Sequence, residues 1–325
     1  MTPALQPLLA VAAGVAALSA AARVSASEYR ETIDFGDAAE SMAGYVDRFG
    51  ADDCLFVVDI DNTLMAMRGD LGSDAWFEWQ EYLQKHEPDS PHLVAAAFPQ
   101  LLDIQGILFT LGSMRPTQPD LPKLVRRIQG AGVPTLVLTS RGPIYRAATI
   151  RELEANGYHF ADTVIETTGL PAGEFLPYDP DNLAAKGFSA REGELFRLRA
   201  PRPVSFGDGV FMGAGQHKGA MLLGVLHHAR RQPKAVVFID DHGRHVHRVY
   251  DALSRRGIEC TVFHYKREND NVARFRYSDK AAVTEQWKRL QSGIEEAFPG
   301  QKAPAAAADG APRAAHGGTT APAAH

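Results

Sequence analysis

The chain has little cysteine: Cys54 and Cys260 are its only two among 325 residues. That excludes a disulfide-stapled scaffold and a cysteine-rich zinc module, so stability has to come from a buried core. Positive charge is not in excess either. Lys and Arg total 34 against 39 Asp and Glu, a formal net charge of −5. No global basic field results, and nucleic acid is not an expected partner, although a local basic pocket for a phosphate stays open. Long apolar runs are also scarce. Leu8 to Ala22 forms one, shorter than the ~20 residues that span a bilayer as a helix. No second one follows, so a stable membrane span is not expected once that segment is removed.

The early run is followed by the small residues Val24, Ser25 and Ala26. Residues 1–26 therefore read as a secretory signal, which makes the protein exported or periplasmic. Met1 to Gln6 contains no Lys or Arg, which is unusual for such a signal and keeps a cytoplasmic location as the alternative. Residues 299–325 are dominated by Ala, Gly and Pro without apolar periodicity, the composition of a disordered tail. Between these ends, residues 27–298 form the folded region. At 45% hydrophobic and 22% charged, the chain has ordinary globular composition.

Four short apolar runs organise that region: Cys54 to Val58, Pro134 to Leu138, Ala235 to Ile239, and Cys260 to Phe263. They are continuous rather than alternating, as strands covered on both faces require. Amphipathic stretches lie between them. Leu121, Leu124, Val125 and Ile128 share a helical face, as do Met221, Leu222, Val225 and Leu226, and then Val246, Val249, Tyr250 and Leu253. Ile144, Ala147, Ala148, Arg151 and Leu153 mark a helix after the second strand, with Pro143 in its first turn. Val283, Trp287, Leu290 and Ile294 mark a final one. Gly130, Gly132 and Gly257 sit where helices should stop.

Strand–helix alternation of this kind predicts an α/β fold, a Rossmann-like parallel sheet with helices on both faces. In such sheets ligands bind beyond the carboxyl ends of the strands, where strand order reverses. Two intervals exceed a minimal sheet, about 64–119 and 160–215, and read as inserted segments that cap the site. Trp76 and Trp79 in the first of them read as core.

The chemistry-bearing residues end the apolar runs. Asp59 and Asp61, in Asp59-Ile60-Asp61-Asn62-Thr63, directly follow the first strand. Two carboxylates so placed repel one another unless a cation or protons intervene. Mg²⁺ resolves that conflict, since it takes a few carboxylates and leaves phosphate to complete its shell. One carboxylate can then attack phosphorus while the other manages the leaving group's proton. An Asx-rich turn is the bland alternative. Thr139-Ser140-Arg141-Gly142 ends the second strand, where hydroxyls and N–H groups can hold a phosphoryl oxygen. Lys218 opens a helix, against the dipole, a placement that a bound phosphate explains. Asp240 and Asp241 end the third strand. His217 is a candidate phosphate contact, whereas His242, His245 and His247 read as residues of a surface helix rather than as metal ligands.

In order and spacing, Asp59 to Thr63, Thr139, Lys218 and Asp240-Asp241 resemble the four motifs of the haloacid dehalogenase-like superfamily across residues 54–265. The segment from Gly209 to Gly219 is also similar to a bacterial branch of that superfamily with no assigned substrate. The resemblance implies a phosphate monoester hydrolase. Asp59 would form a phospho-aspartyl intermediate and Asp61 would act as acid and then base. Thr139 and Lys218 would hold the substrate's phosphoryl group, and Ser140 beside Thr139 is a further substrate-binding candidate from its place at the strand end. Asp240 would hold Mg²⁺ with Asp59 and the main-chain carbonyl of Asp61, with Asp241 assisting directly or through water. An acidic residue at position 61 accompanies phosphatases and mutases there, and argues against dehalogenases and P-type ATPases. The expected partner is a small phosphorylated substrate, with oligomeric state open. A phosphotransferase or phosphomutase, or a non-catalytic binding protein on the same fold, are the competing readings. The usual sheet order of that fold separates the Cys54 and Cys260 strands by one other strand. Roughly 9–10 Å is beyond a disulfide's reach, so both thiols are expected to be free.

Overall fold

The computed structural model describes residues 27–165 and 169–299. The segment read as a signal and nearly all of the segment read as a tail lie outside the described residues.

Ten strands occur among them: β1 Glu28–Thr32, β2 Cys54–Val58, β3 Met65–Met67, β4 Met114–Pro116, β5 Thr135–Thr139, β6 Glu174–Phe175, β7 Val204–Gly207, β8 Val210–Met212, β9 Ala235–Asp240 and β10 Glu259–Tyr265. The α-helices are α1 Gly36–Phe49, α2 Asp74–His86, α3 Phe98–Leu111, α4 Leu121–Gly130, α5 Arg146–Ala155, α6 Ala190–Leu195, α7 Lys218–His228, α8 Gly243–Arg255, α9 Asn269–Tyr277 and α10 Ala281–Ala297. Eight strands form one sheet in the order β1-β10-β9-β2-β5-β8-β7-β6, while β3 and β4 pair separately. From β1 through β8 neighbouring strands run parallel; the β8–β7 and β7–β6 pairs are antiparallel. The fold is a Rossmann-like α/β architecture.

Burial explains the continuous apolar runs. Every residue of β2, β5 and β9 is buried, and alternate side chains enter two cores. Phe56, Val58, Val137, Val237 and Ile239 meet Met42 of α1, Val125 of α4 and Leu153 of α5. Leu55, Val57, Leu136, Leu138, Val236 and Phe238 meet Leu222 of α7 and Val249 of α8. A third cluster joins Trp76, Leu101, Ile104 and Leu108 of α2 and α3 to Phe275, Val283 and Trp287 of α9 and α10. It anchors the first long interval to the last two helices. Trp76 is a core residue, as its apolar surroundings dictate.

Three expectations change. The interval 160–215 is not only a cover, because β8 within it joins the main sheet beside β5 and carries β7 and β6 with it. Asp208 and Gly209 turn β7 into β8 with φ of 52° and 74°. Both residues of a tight two-residue hairpin turn need positive φ, which Asp-Gly supplies readily. A Cβ on Gly209 would lie 2.6 Å from the Phe160 carbonyl oxygen. Second, Ile144 does not share the buried face of α5, which consists of Ala148, Thr149, Glu152 and Leu153. Pro143 instead opens a single 3₁₀ turn that leaves Ile144 exposed. Third, β1 adds an edge strand beyond β10 that no apolar run announced.

Cys54 and Cys260 are buried and unpaired. Each faces β9 in the ladder, one from β2 and one from β10, so a whole strand separates them.

Candidate functional site

The chain leaves β2 toward β5 on one side and returns to β9 on the other, so strand order reverses at β2. Loops diverge from that point and open a crevice above the strand ends. Asp59 and Asp61 follow β2, Asp240 closes β9 and Asp241 follows it. The structure therefore brings the four aspartates together. Carboxylate oxygens of Asp59, Asp240 and Asp241 lie within 4.8 Å of one another.

Lys218 enters from the first turn of α7 and is 1% exposed. Its Nζ lies 2.6 Å from Asp59 Oδ1 and 2.6 Å from Asp240 Oδ2. A fully buried ammonium is tolerated only with such partners. Gly219 next to it allows the approach, since a Cβ there would lie 2.2 Å from the Arg248 carbonyl oxygen of α8. Asp240 is fixed further by the His242 amide, which donates to Oδ1 at 2.8 Å. His245 Nδ1 stands 3.4 Å from the same oxygen.

These charges shape one another. Burial, opposed by Lys218 and reinforced by Asp240 and Asp61, pushes the Asp59 carboxyl up to about 7. Burial acts the same way on Asp240, but Lys218 and His245 outweigh it and hold that carboxyl well below the usual range. Burial disfavours the Lys218 charge too, yet Asp240 and Asp59 overcome it and raise its pKa. Burial raises Asp241 well above an ordinary aspartate, against the pull of His242.

Asp61 is held differently. Arg141 donates to it through Nη2 at 2.7 Å and Nε at 2.9 Å, a two-pronged clamp. The guanidinium also donates to Thr149 Oγ1 at 3.0 Å and lies 3.9 Å from the Phe109 ring centre. Arg141 is buried. Its signal was its place in Thr-Ser-Arg-Gly at the end of β5, where the hydroxyls drew attention instead.

A cavity of about 590 Å³ opens over Asp59, Asp61 and Asp241. Ser140 borders it and Thr139 does not; the Thr139 hydroxyl accepts a bond from the Arg141 amide at 3.1 Å and serves to shape the loop. Lys218 and Asp240 lie behind Asp59, outside the lining. Both long intervals contribute walls, with Asp74, Phe77, Phe98 and Gln105 from the first and Arg202 and Gly215 from the second. Among the described residues, five buried side-chain atoms have no hydrogen-bond partner. Four of them belong to residues lining this one cavity: Gln105 Oε1, Ser140 Oγ, Asp241 Oδ1 and His245 Nδ1. Unmet polar atoms gathered at one place mark where an ion, water or ligand belongs.

The donor set suits a hard divalent cation. Three carboxylates face one another with a single ammonium among them, and the orphaned Asp241 oxygen is left for a ligand bond.

The histidines differ from expectation. His245 is not a surface residue of α8: it is 7% exposed, and burial together with Lys218 lowers its pKa to about 4. His242 lies on the cavity wall, where Nε2 sits 3.3 Å from Asp74 Oδ2; that contact raises its pKa to about 10 against burial. Asp74, Asp241 and His242 also offer ligand atoms within 4.8 Å of one another. The expectation fits His247 better, which stacks on Tyr29 with ring centres 4.6 Å apart. His217 does not border the cavity. Its Nδ1 accepts from the Ala220 amide at 3.1 Å and caps α7.

No helix among the described residues is long and apolar enough to cross a membrane. The chain is similar to a protein of Chlamydia pneumoniae named "Putative outer membrane protein", with 22% identity over 230 residues, 68% of this chain and 75% of that one. A family model described as "Protein of unknown function (DUF2608)" matches residues 35–299, from the turn before α1 to the end of α10, and the chain belongs to that family.

Proposed function

We propose that the protein is a Mg²⁺-dependent phosphatase of the haloacid dehalogenase-like kind, hydrolysing a small phosphate monoester. The observation that carries the reading is Lys218, buried and held 2.6 Å from both Asp59 and Asp240 at the strand-order reversal. Nothing in the packing of α7 calls for a buried ammonium, whereas phosphoryl transfer calls for one beside its nucleophile.

In this reading the Asp59 carboxylate attacks phosphorus, the bond to the leaving oxygen breaks, and a phospho-aspartyl enzyme forms. Asp61, oriented by Arg141, supplies a proton to the departing oxygen and takes one from the water that attacks next. That water displaces Asp59 and releases inorganic phosphate. Ser140 steadies a phosphoryl oxygen from the cavity wall, Lys218 balances the charge of the nucleophile from behind it, and Thr139 keeps the loop in shape. Asp59, Asp240 and Asp241 would hold Mg²⁺, with the main-chain carbonyl of Asp61 as the resemblance implies, and the ion would neutralise charge at the phosphoryl group. The similarity to a protein named for the outer membrane, with the apolar run Leu8 to Ala22, supports an exported location.

Hydrolysis of a generic aryl phosphate with Mg²⁺, with chelator, and by Asp59→Asn tests the reading. Turnover that needs Mg²⁺ and drops at least about 10³-fold in the variant is expected. Turnover that persists in Asp59→Asn, or that ignores chelation, removes the reading.

A further inference from the structure

The proposed chemistry leaves open what the phosphate is attached to, and the cavity beyond the carboxylates bears on that. Part of its wall is apolar, built by Phe77 of α2, Phe98, Leu102 and Phe109 of α3, and Ile144 of the 3₁₀ turn after β5. Phe77 and Phe98 pack edge to face with ring centres 6.2 Å apart. Phe98 is 43% exposed and Ile144 65% exposed. Singly such exposures are ordinary, but these two border one cavity, which gives a ligand apolar area to cover.

Charge on the same walls argues against a second anion. Beyond Asp59, Asp61 and Asp241, the lining carries Asp74, Glu78, Glu81 and Glu174 against Arg202, Arg244 and His242, the last drawn to Asp74 at 3.3 Å, so acidic groups still outnumber basic ones. The remaining guanidinium, Arg141, is already committed to Asp61. No lysine borders the cavity among the described residues.

Gln105 adds a third constraint. Its Nε2 donates to the Gly72 carbonyl at 2.8 Å, which fixes the amide orientation and leaves Oε1 as a buried acceptor without a partner. The residue is 4% exposed and borders the cavity. An acceptor there repels an oxyanion and favours a neutral donor, such as a hydroxyl, on an otherwise apolar body.

Resting on the phosphatase reading, we propose that the leaving group is a largely apolar body carrying no second anionic group. Sugar bisphosphates, phosphorylated carboxylic acids and nucleoside polyphosphates are thereby disfavoured. The reaction's balance is unchanged: one P–O bond breaks, water supplies the new one, and the products are the apolar alcohol and inorganic phosphate.

Three alkyl phosphates separate this inference from the reading beneath it, because their leaving groups have similar acidity. They are 2-phenylethyl phosphate, ethyl phosphate and 3-phosphoglycerate, each assayed with the full chain and Mg²⁺. Covering one ring with apolar wall should favour 2-phenylethyl over ethyl phosphate by about 30-fold in kcat/KM, mostly through KM. Phosphoglycerate should fall below ethyl phosphate. Phe98→Ser and Ile144→Ser, at exposed positions that spare the fold, should each shrink the phenylethyl-to-ethyl ratio about 5-fold. Equal kcat/KM for the three esters, or preference for phosphoglycerate, overturns the leaving-group assignment and leaves the phosphatase standing. Absence of Mg²⁺-dependent turnover for these and for an aryl phosphate overturns both.

Discussion

Lys218 neutralises Asp59 and Asp240 at once, so replacing it strands two buried carboxylates beside each other. Lys218→Met should cost about 3–5 kcal/mol of unfolding free energy in chelator, because a broken buried pair leaves uncompensated charge. Mg²⁺ should restore part of that loss, since a cation bound only by the folded state stabilises it. Chemical denaturation in both conditions checks this, and equal stability of variant and wild type in chelator contradicts it. Asp59 makes a separate forecast about pH. Its folded pKa, about 7, lies above its ordinary 3.8. A carboxyl raised on folding favours the folded state fully at acid pH and loses that contribution as pH climbs through the folded value. His245, lowered to about 4, runs the opposite way over part of the same window, as its neutral form is the one that folds. The difference between wild type and Asp59→Asn removes the His245 contribution common to both and reports the aspartate together with the groups coupled to it. In metal-free buffer the stability of wild type relative to the variant should decline from about pH 4 to pH 7, and a flat difference argues against the buried placement.

At the scale of elements, α7 and α8 meet through the backbone. Gly219 touches Arg248 and Ala252 so closely that a methyl group must push the helices apart. Gly219→Ala should destabilise by about 1–3 kcal/mol, and it should lower activity by carrying Lys218 with it; thermal unfolding and turnover measured together would reveal both. The strands of the central sheet were readable because burial on both faces forces an uninterrupted apolar run, as in Cys54 to Val58. Asp59, Asp61, Asp240, Asp241 and Lys218 were readable because each lies at the end of such a run or the start of the next helix. β1 was not, because only Thr32 of its five residues is buried, so it lacks an apolar run. Arg141, Gln105 and His242 were not, because their partners come from segments distant in the chain or from contacts between helices. No spacing records that Arg141 will meet Asp61, 80 residues earlier. His245 misled because a polar residue on an amphipathic helix is ordinarily solvated, and here its side chain turns inward to Asp240. Asp208-Gly209 was a legible hairpin turn, missed because the short strands flanking it lack alternation.

Across the whole molecule, the sheet ends on one side in β1, hydrogen-bonded along its length to β10 from Glu28–Thr261 to Thr32–Tyr265. Deleting residues through Ile33 should expose β10 as an unprotected parallel edge. Lower thermal stability and self-association in size-exclusion chromatography are expected, and a monomer of unchanged melting temperature speaks against a structural role for that strand. The pairing also dictates an order of assembly. Glu28 is among the first described residues to be synthesised, and its partner Thr261 comes 233 positions later. Translation can complete β2, β5 and the helices around them while the opening strand still has nothing to pair with. Such long-range closure slows folding relative to local contacts. The nascent protein thus leaves its leading strand unpaired until the far end arrives, and the time spent in that state is set by the length of the chain rather than by the strength of any bond in it.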